Sequence, residues 1–217
     1  VIEKIETPEP LKSDTLAVGA TLTKDGVVFW TNRSRAENGG FLPYLDNDLL
    51  NIAATARLKD MFDKQYFAHV SSEGVQPADV AKQAGYEYVT FGENIALGNF
   101  QGDRGIVDAW MASPGHRANI LHNRFTEMGV AVGEGTFEGR RVWIGAQLFG
   151  LPRSACPAPD AALKARSDEL EVEITTKNNI AKNLLAELHS LPETTKEEVD
   201  YYNEKVSEYN AFVAEIN

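Results

Sequence analysis

The chain of 217 residues holds a single cysteine, Cys156, so it can form no intrachain disulfide and no Cys-rich zinc site. That scarcity fits the cytosol, and equally an exterior protein that is stable without disulfides. Positive charge is also in short supply: 21 Lys and Arg stand against 32 Asp and Glu, a formal net of −11. Binding to a phosphate backbone or to anionic lipid needs clustered bases, so no nucleic-acid partner is expected. No apolar run approaches the ~20 residues needed to span a bilayer. Histidine is rare, with four in the chain, which makes the position of each informative. Apolar side chains are plentiful at 43%, enough for a real core and against wholesale disorder. The chain opens on Val1 rather than Met, and the expectation is a processed or trimmed fragment with any signal or membrane anchor upstream.

Pattern and charge change near "GLPRSACPAPDA", residues 150–161, where three prolines at 152, 157 and 159 read as a linker. From residue 160 onward there are 13 acids and 6 bases, a net of −7 that leaves −4 for residues 1–159. In this tail Leu163, Leu170, Ile174, Ala181, Leu184, Leu188 and Leu191 recur on three- and four-residue steps. After "SLPETT" the run Val199, Tyr202, Val206, Tyr209, Val213 and Ile216 keeps the same step, and Thr195 with Glu198 can form a capping box. Residues 161–217 are thus expected to fold as an antiparallel helical hairpin of coiled-coil type, a surface for self-association. Residues 1–23, with Pro8 and Pro10, read as a mobile lead-in.

Between them, "VVFWTNRSRAEN" and "DNDLLNIAATARLKDMFDKQYF" carry helical periodicity, with Leu50, Ala54, Leu58, Met61 and Phe62 on one face. "PADVAKQAG" is a short helix closed by Gly85. "YEYVTFGENIALG" is β-rich but broken by Gly92. "GIVDAWM" is a helix burying Ile106, Val107, Trp110 and Met111. "EMGVAVGEG" and "RRVWIGAQLFG" are two strands joined by a Gly-rich turn. Helices followed by strands with helices between them favour an α+β fold with an antiparallel sheet over a parallel βαβ array.

"AWMASPGHRANIL", residues 109–121, is the first stretch with chemical content. Pro114 biases Ser113 away from the α region, so one helix ends there. Ser113 can cap the next, with Pro114 at its first position. His116 then lies in the first turn, where the positive end of the dipole disfavours an imidazolium. A neutral ring there either packs and makes a structural hydrogen bond, or ligates a metal or accepts a proton. His69 in "YFAHVSSEG" follows a long helix. Glu93 in "FGENIALG" sits in a strand that has little reason to host a charge. Two histidines and a carboxylate on separate elements are suitable donors for a zinc-like ion, although no H-E-x-x-H spacing ties them together. His122 and His189 carry no such pattern.

Taken in order, "VVFWTNRSRAENG", "YFAHVSSEG", "GENIALG", "VDAWMASPGHRANIL" and "FTEMGVAVG" resemble the bacterial branch of the CAP superfamily. That superfamily includes the cysteine-rich secretory proteins, antigen 5 allergens and pathogenesis-related plant proteins, which share the SCP domain. The resemblance spans residues 24–150. It implies an α-β-α sandwich around a central antiparallel sheet, with an open cleft floored by two histidines and two acids that bind zinc or similar ions in some members. His69 matches the first histidine, Glu93 the glutamate of Gly-Glu-Asn, and His116 the histidine of Gly-His. Asn119 falls where many members have Gln, and it joins these three as an expected ligand contact.

The family's second glutamate, three residues after the helix tryptophan, is replaced here by Ser113. Glu127 in "FTEMG" either points toward the cleft as a substitute or, as is commoner for a strand-end glutamate, is a solvated residue. Three functions stay open. One is a binding module outside the cell or on its envelope, holding a small molecule, lipid or peptide, or a weakly bound divalent metal such as zinc. Another is a metal-assisted hydrolase with Glu93 as general base. The third is an assembly protein acting through the hairpin. The first is preferred, because no oxyanion donors or nucleophile elbow can be identified.

Overall fold

The first three helices start on side chains suited to their place. Thr23 accepts a hydrogen bond from Gly26 N at 3.1 Å and opens α1, Lys24–Glu37. Asn47 Oδ1 accepts from Leu49 N and Leu50 N and opens α2, Asp48–Lys64. Pro77 begins α3, Pro77–Gln83, where its missing N–H costs least. The structure, a computed structural model, describes residues 7–13, 20–158, 160–192 and 194–216. The chain divides into two compact units, 1–156 and 157–217.

The first unit is built on five strands: β1 Leu11–Ser13, β2 Leu45–Asp46, β3 Tyr88–Gly98, β4 Glu127–Phe137 and β5 Arg140–Pro152. Their order across the sheet is β1-β3-β5-β4-β2. The three long central strands are antiparallel, and the short edge strands β1 and β2 each pair in parallel with a neighbour. Alternation sends Ile95, Leu97, Ile144, Ala146 and Leu148 to one face, against Leu50, Ala54 and Met61 of α2. Ala96, Phe149, Met128 and Val130 face the other way. There they meet Val27 of α1, Ile106, Val107 and Trp110 of α4 (Gly102–Ala112) and Ile120 of α5 (Pro114–Ile120). The result is the α-β-α sandwich with a central antiparallel sheet.

Three expectations are corrected. Gly92 does not break β3, whose ladder with β5 runs through Gly92, Glu93 and Asn94 opposite Phe149, Leu148 and Gln147; the irregularity lies between Tyr88 and Thr90. The turn between β4 and β5 is only Glu138–Gly139, both at positive φ (48° and 76°), as a two-residue hairpin with primed-turn geometry requires. The lead-in is not loose where it is described: Pro8 is buried and Leu11–Ser13 is a strand of the sheet. The remainder of that lead-in, 1–6 and 14–19, lies outside the described residues, as does Pro159 of the linker.

The second unit contains α6, Ala161–Ser190, and α7, Lys196–Ile216, which pack against each other. Asp160 caps α6 through Ala162 N and Leu163 N. Thr195 and Glu198 form the reciprocal capping box at α7, at 2.9 and 3.3 Å. Leu188 is buried in the seam, and Tyr202, Val206, Tyr209 and Val213 are half-buried; the Ile216 side chain lies outside the described residues. Leu163 is 70% exposed, because α7 has 21 residues against 30 in α6 and cannot cover its first turns; Ile174, farther along α6, is 51% exposed. Among the described residues no helix is long and apolar enough to cross a membrane.

Candidate functional site

Successive strand residues point to opposite faces, and β3 uses this to separate two polar clusters. Glu93 points toward α2, where Arg57 Nε donates to its Oε1 at 3.0 Å. Both side chains are almost wholly buried, at 1% and 2% exposure. The rest of the guanidinium is satisfied: Nη1 donates to Tyr66 Oη at 2.8 Å, and Nη2 to the carbonyls of Ala68 and His69 at 2.9 and 2.7 Å. Burial works against the charge of Arg57, but Glu93 and Tyr66 outweigh it and its pKa is raised. Tyr66 donates to Asp60 Oδ2 at 2.6 Å, and burial followed by that bond pushes its phenol up to about 12.

Glu93 Oε2 in turn lies 2.6 Å from His69 Nδ1, and His69 Nε2 lies 2.6 Å from the carbonyl oxygen of Pro8. The Pro8 carbonyl can only accept, so the contact requires His69 Nε2 to donate to it. The imidazole is therefore fixed at one end by Glu93 and offers Nε2 as a donor at the other. His69 and Glu93 line a cleft of about 430 Å³ together with Thr7, Val70, Gln76, Tyr88 and Phe91.

On the opposite face, Asn94 Nδ2 donates to the His116 carbonyl at 3.1 Å. Asn119 Nδ2 donates to Asn94 Oδ1 at 3.0 Å and to the Glu93 carbonyl at 3.2 Å. Gln147 continues the network to Thr31 at 2.8 Å. Gly92 permits this closeness: a Cβ there would lie 2.9 Å from Phe125 and 3.3 Å from Asn119 Oδ1. The far end of α5 is held as firmly, by Arg35 donating to the carbonyls of Ile120 and His122 and by Tyr44 Oη donating to those of Asn119 and His122. His116 is thus placed by its own backbone and both ends of its helix.

The His116 ring is 1% exposed and does not line the cleft. Its Nδ1 pairs with Ser113 Oγ at 2.8 Å, and its Nε2 is buried with no well-formed hydrogen bond among the described residues. Burial, then the charge of nearby His69, lower its pKa to about 4, with the Ile95 backbone opposing. The neutral state expected from the helix dipole is present, but desolvation is the leading cause. The Ser113 hydroxyl makes no capping bond to the helix backbone and pairs with the ring instead.

The structure therefore joins His69 and Glu93 directly and places His116 close enough to feel His69. Asn119, expected among ligand contacts, is buried with its amide committed to β3. Glu127 does not complete the acidic pair: its carboxylate accepts from Tyr86 Oη at 2.8 Å and Asn47 Nδ2 at 3.2 Å, and it lines a different pocket. His122 packs at a tilt against Phe125 with ring centroids 4.4 Å apart, His189 is exposed on α6, and Cys156 is exposed. Among the described residues no group of three His, Cys, Asp or Glu side chains is arranged to hold a metal ion. Glu93 has both oxygens engaged and His69 Nε2 is occupied by Pro8, so these residues as arranged do not fit a resident zinc. Sequence reasoning missed Arg57, Asn94, Gln147 and Pro8. Arg57 had a signal: it falls on the stripe Leu50, Ala53, Ala54, Met61 that α2 buries.

A sequence model of the cysteine-rich secretory protein family, CAP, matches residues 31–146, more than half of the chain. The uncharacterized protein YkwD of Bacillus subtilis (strain 168) is 41% identical over 117 residues, 54% of this chain and 43% of that protein. A crystal structure of an extracellular protein containing a SCP domain from Bacillus anthracis str. Ames superposes with a TM-score of 0.50 at 25% identity, covering 58% of this chain and 39% of that one. An outer surface protein of Borrelia burgdorferi shares the fold, with a TM-score of 0.52 at 17% identity over 60% of this chain and 96% of its own. The matched region thus spans less than half of the two Bacillus proteins. The ordered motifs, the sandwich and the matched stretch have one reading: the chain belongs to the cysteine-rich secretory protein (CAP) family, in its bacterial branch.

Proposed function

We propose that the first unit is a binding module acting outside the cell or on its envelope, with a cleft that holds an organic ligand by an oxygen acceptor at His69 Nε2, in the place that the Pro8 carbonyl takes in this structure. One observation carries this reading: a donor nitrogen fixed by the buried Glu93–Arg57 pair reaches a carbonyl oxygen at 2.6 Å beside an open cleft. Such a ring is pre-organised, so little ordering cost falls on binding. The exterior location draws support from the extracellular and outer-surface descriptions of the two structural relatives. A hydrolase with Glu93 as general base is the weaker reading, because both oxygens of that carboxylate already accept hydrogen bonds. Ligand-induced thermal shift with short acyl-peptides and with lauric acid tests the proposal. A rise in melting temperature with at least one class is expected in the wild type and not in His69→Gln. No rise with either class, or one that survives the substitution, overturns it.

A second reading concerns the hairpin, where Leu163, beyond the reach of α7, and Ile174 are exposed on α6. Self-association through this stretch would cover them. Sedimentation equilibrium of the full chain is expected to show reversible association that Leu163→Glu with Ile174→Glu abolishes. A strictly monomeric wild type at tens of micromolar rejects it.

A further inference from the structure

The geometry points to the His69 cleft and the adjoining edge of β3 as a receptor for an extended, proline-containing peptide. Thr7–Ser13 is then this chain's own occupant of that receptor. The inference rests on the binding reading above and names its ligand class.

The register carries the argument. β1 runs parallel to β3 with Leu11 opposite Ala96, Lys12 opposite Leu97 and Ser13 opposite Gly98. Carried back along the chain, the same offset brings Pro8 level with Glu93. A backbone ladder has fewer donors there, because Pro8 and Pro10 have no N–H. The Pro8 carbonyl is taken instead by His69 Nε2, the side chain that Glu93 fixes. His69 thus does for one carbonyl what a strand N–H would otherwise do.

The walls of this track fit that occupant. A Cβ on Gly115 would lie 2.8 Å from Pro8 Cβ, so the glycine of the Gly-His pair leaves the slot that Pro8 fills. A Cβ on Gly98 would lie 2.3 Å from the Ser13 carbonyl. Three residues after Pro8, Leu11 packs on the cluster that includes Val107 and Trp110. Glu9 and Lys12 are exposed. What is recognised is a proline carbonyl, an aliphatic side chain three residues on, and an extended backbone. The charges of Glu9 and Lys12 are not read. β-strand addition to a sheet edge with pockets for selected side chains is an established mode of peptide recognition. A tethered occupant competes at the millimolar effective concentration of a short link, so a peptide in trans binds weakly until the chain's own segment is loosened.

The test uses the full chain and a fluorescein-labelled peptide, Thr-Pro-Glu-Pro-Leu-Lys-Ser, read by anisotropy. Leu11→Asp in the protein loosens the resident segment and leaves the receptor untouched. Its apparent affinity for the peptide is expected to exceed that of the wild type at least tenfold. In the same background a peptide with Asp in place of its leucine, or Gly in place of its first proline, is expected to lose that gain, whereas Lys in place of its glutamate is not. Adding His69→Gln to Leu11→Asp should also remove it. Equal peptide affinity of wild type and a folded Leu11→Asp protein, or indifference to the peptide substitutions, overturns the assignment. A His69-dependent response to lauric acid would then leave the cleft reading standing and remove only the peptide.

Discussion

Glu93 holds His69 in place, and Arg57 holds Glu93; removing one member of a buried ion pair leaves the other charge uncompensated. Glu93→Ala is therefore expected to lower unfolding free energy by about 3–5 kcal/mol, measured by urea denaturation. Replacing the pair together, Arg57→Met with Glu93→Leu, is expected to cost far less, because both desolvation penalties go with the charges. Loss of binding or activity in Glu93→Ala alone would thus report damage to the fold rather than chemistry at the carboxylate. His116 supplies a pH signature. Its folded pKa of about 4 is below the ordinary 6.5, so the unfolded chain takes up a proton there before the native one does. The associated stability is fully present above pH 6.5 and is lost as the pH falls toward 4, by up to about 3 kcal/mol. Urea midpoints across that range should show the slope in the wild type and a shallower one in His116→Gln; identical slopes would contradict it. Zinc belongs at this scale too. Without a third free ligand, calorimetric titration is expected to show weak heat at most, little changed by His116→Ala. A micromolar site would contradict that.

At the level of elements, the glycines and the tryptophan decide how closely helices approach the sheet. Trp110 on α4 is fully buried, and a Cβ on Gly145 of β5 would lie 3.4 Å from its ring. Trp110→Ala is expected to cost about 3–5 kcal/mol by chemical denaturation, and a loss below ~1 kcal/mol would put the ring outside the core. The β4–β5 hairpin offers the opposite sign. Glu138 occupies a left-handed conformation at φ 48°, which Asn and Gly adopt more readily. The residue is exposed, and its backbone N–H, which donates to Gln65 Oε1 at 2.9 Å, would be retained on substitution. Glu138→Asn is expected to stabilise by about 0.5–1 kcal/mol, visible as a higher melting temperature; a lower one would show that the side chain contributes something the backbone geometry does not.

Over the whole molecule, helical and strand periodicity account for most of the architecture. Apolar steps of three and four residues locate α1, α2, α4 and both hairpin helices, and the capping box at Thr195 and Glu198 is legible because caps are local. The order of motifs identifies the family and the candidates His69, Glu93 and His116, since each is a polar residue where periodicity asks for none. Long-range pairing is not legible. In the sequence Arg57 is one more charge on a helix, and only packing turns it onto β3. Asn119 reads as a ligand contact, yet the sheet takes its amide. Glu127 and Ser113 exchange importance: the first is bound to Tyr86 and Asn47, and the second pairs with His116. Pro8 reads as part of a loose lead-in because no sequence period links it to His69, 61 residues away. Helices, caps and turns follow from neighbours a few residues apart, so the amino-acid order was enough to place them. Which polar groups satisfy one another when buried depends on proximity in space between residues far apart in the chain, and that pairing came only with the packed fold.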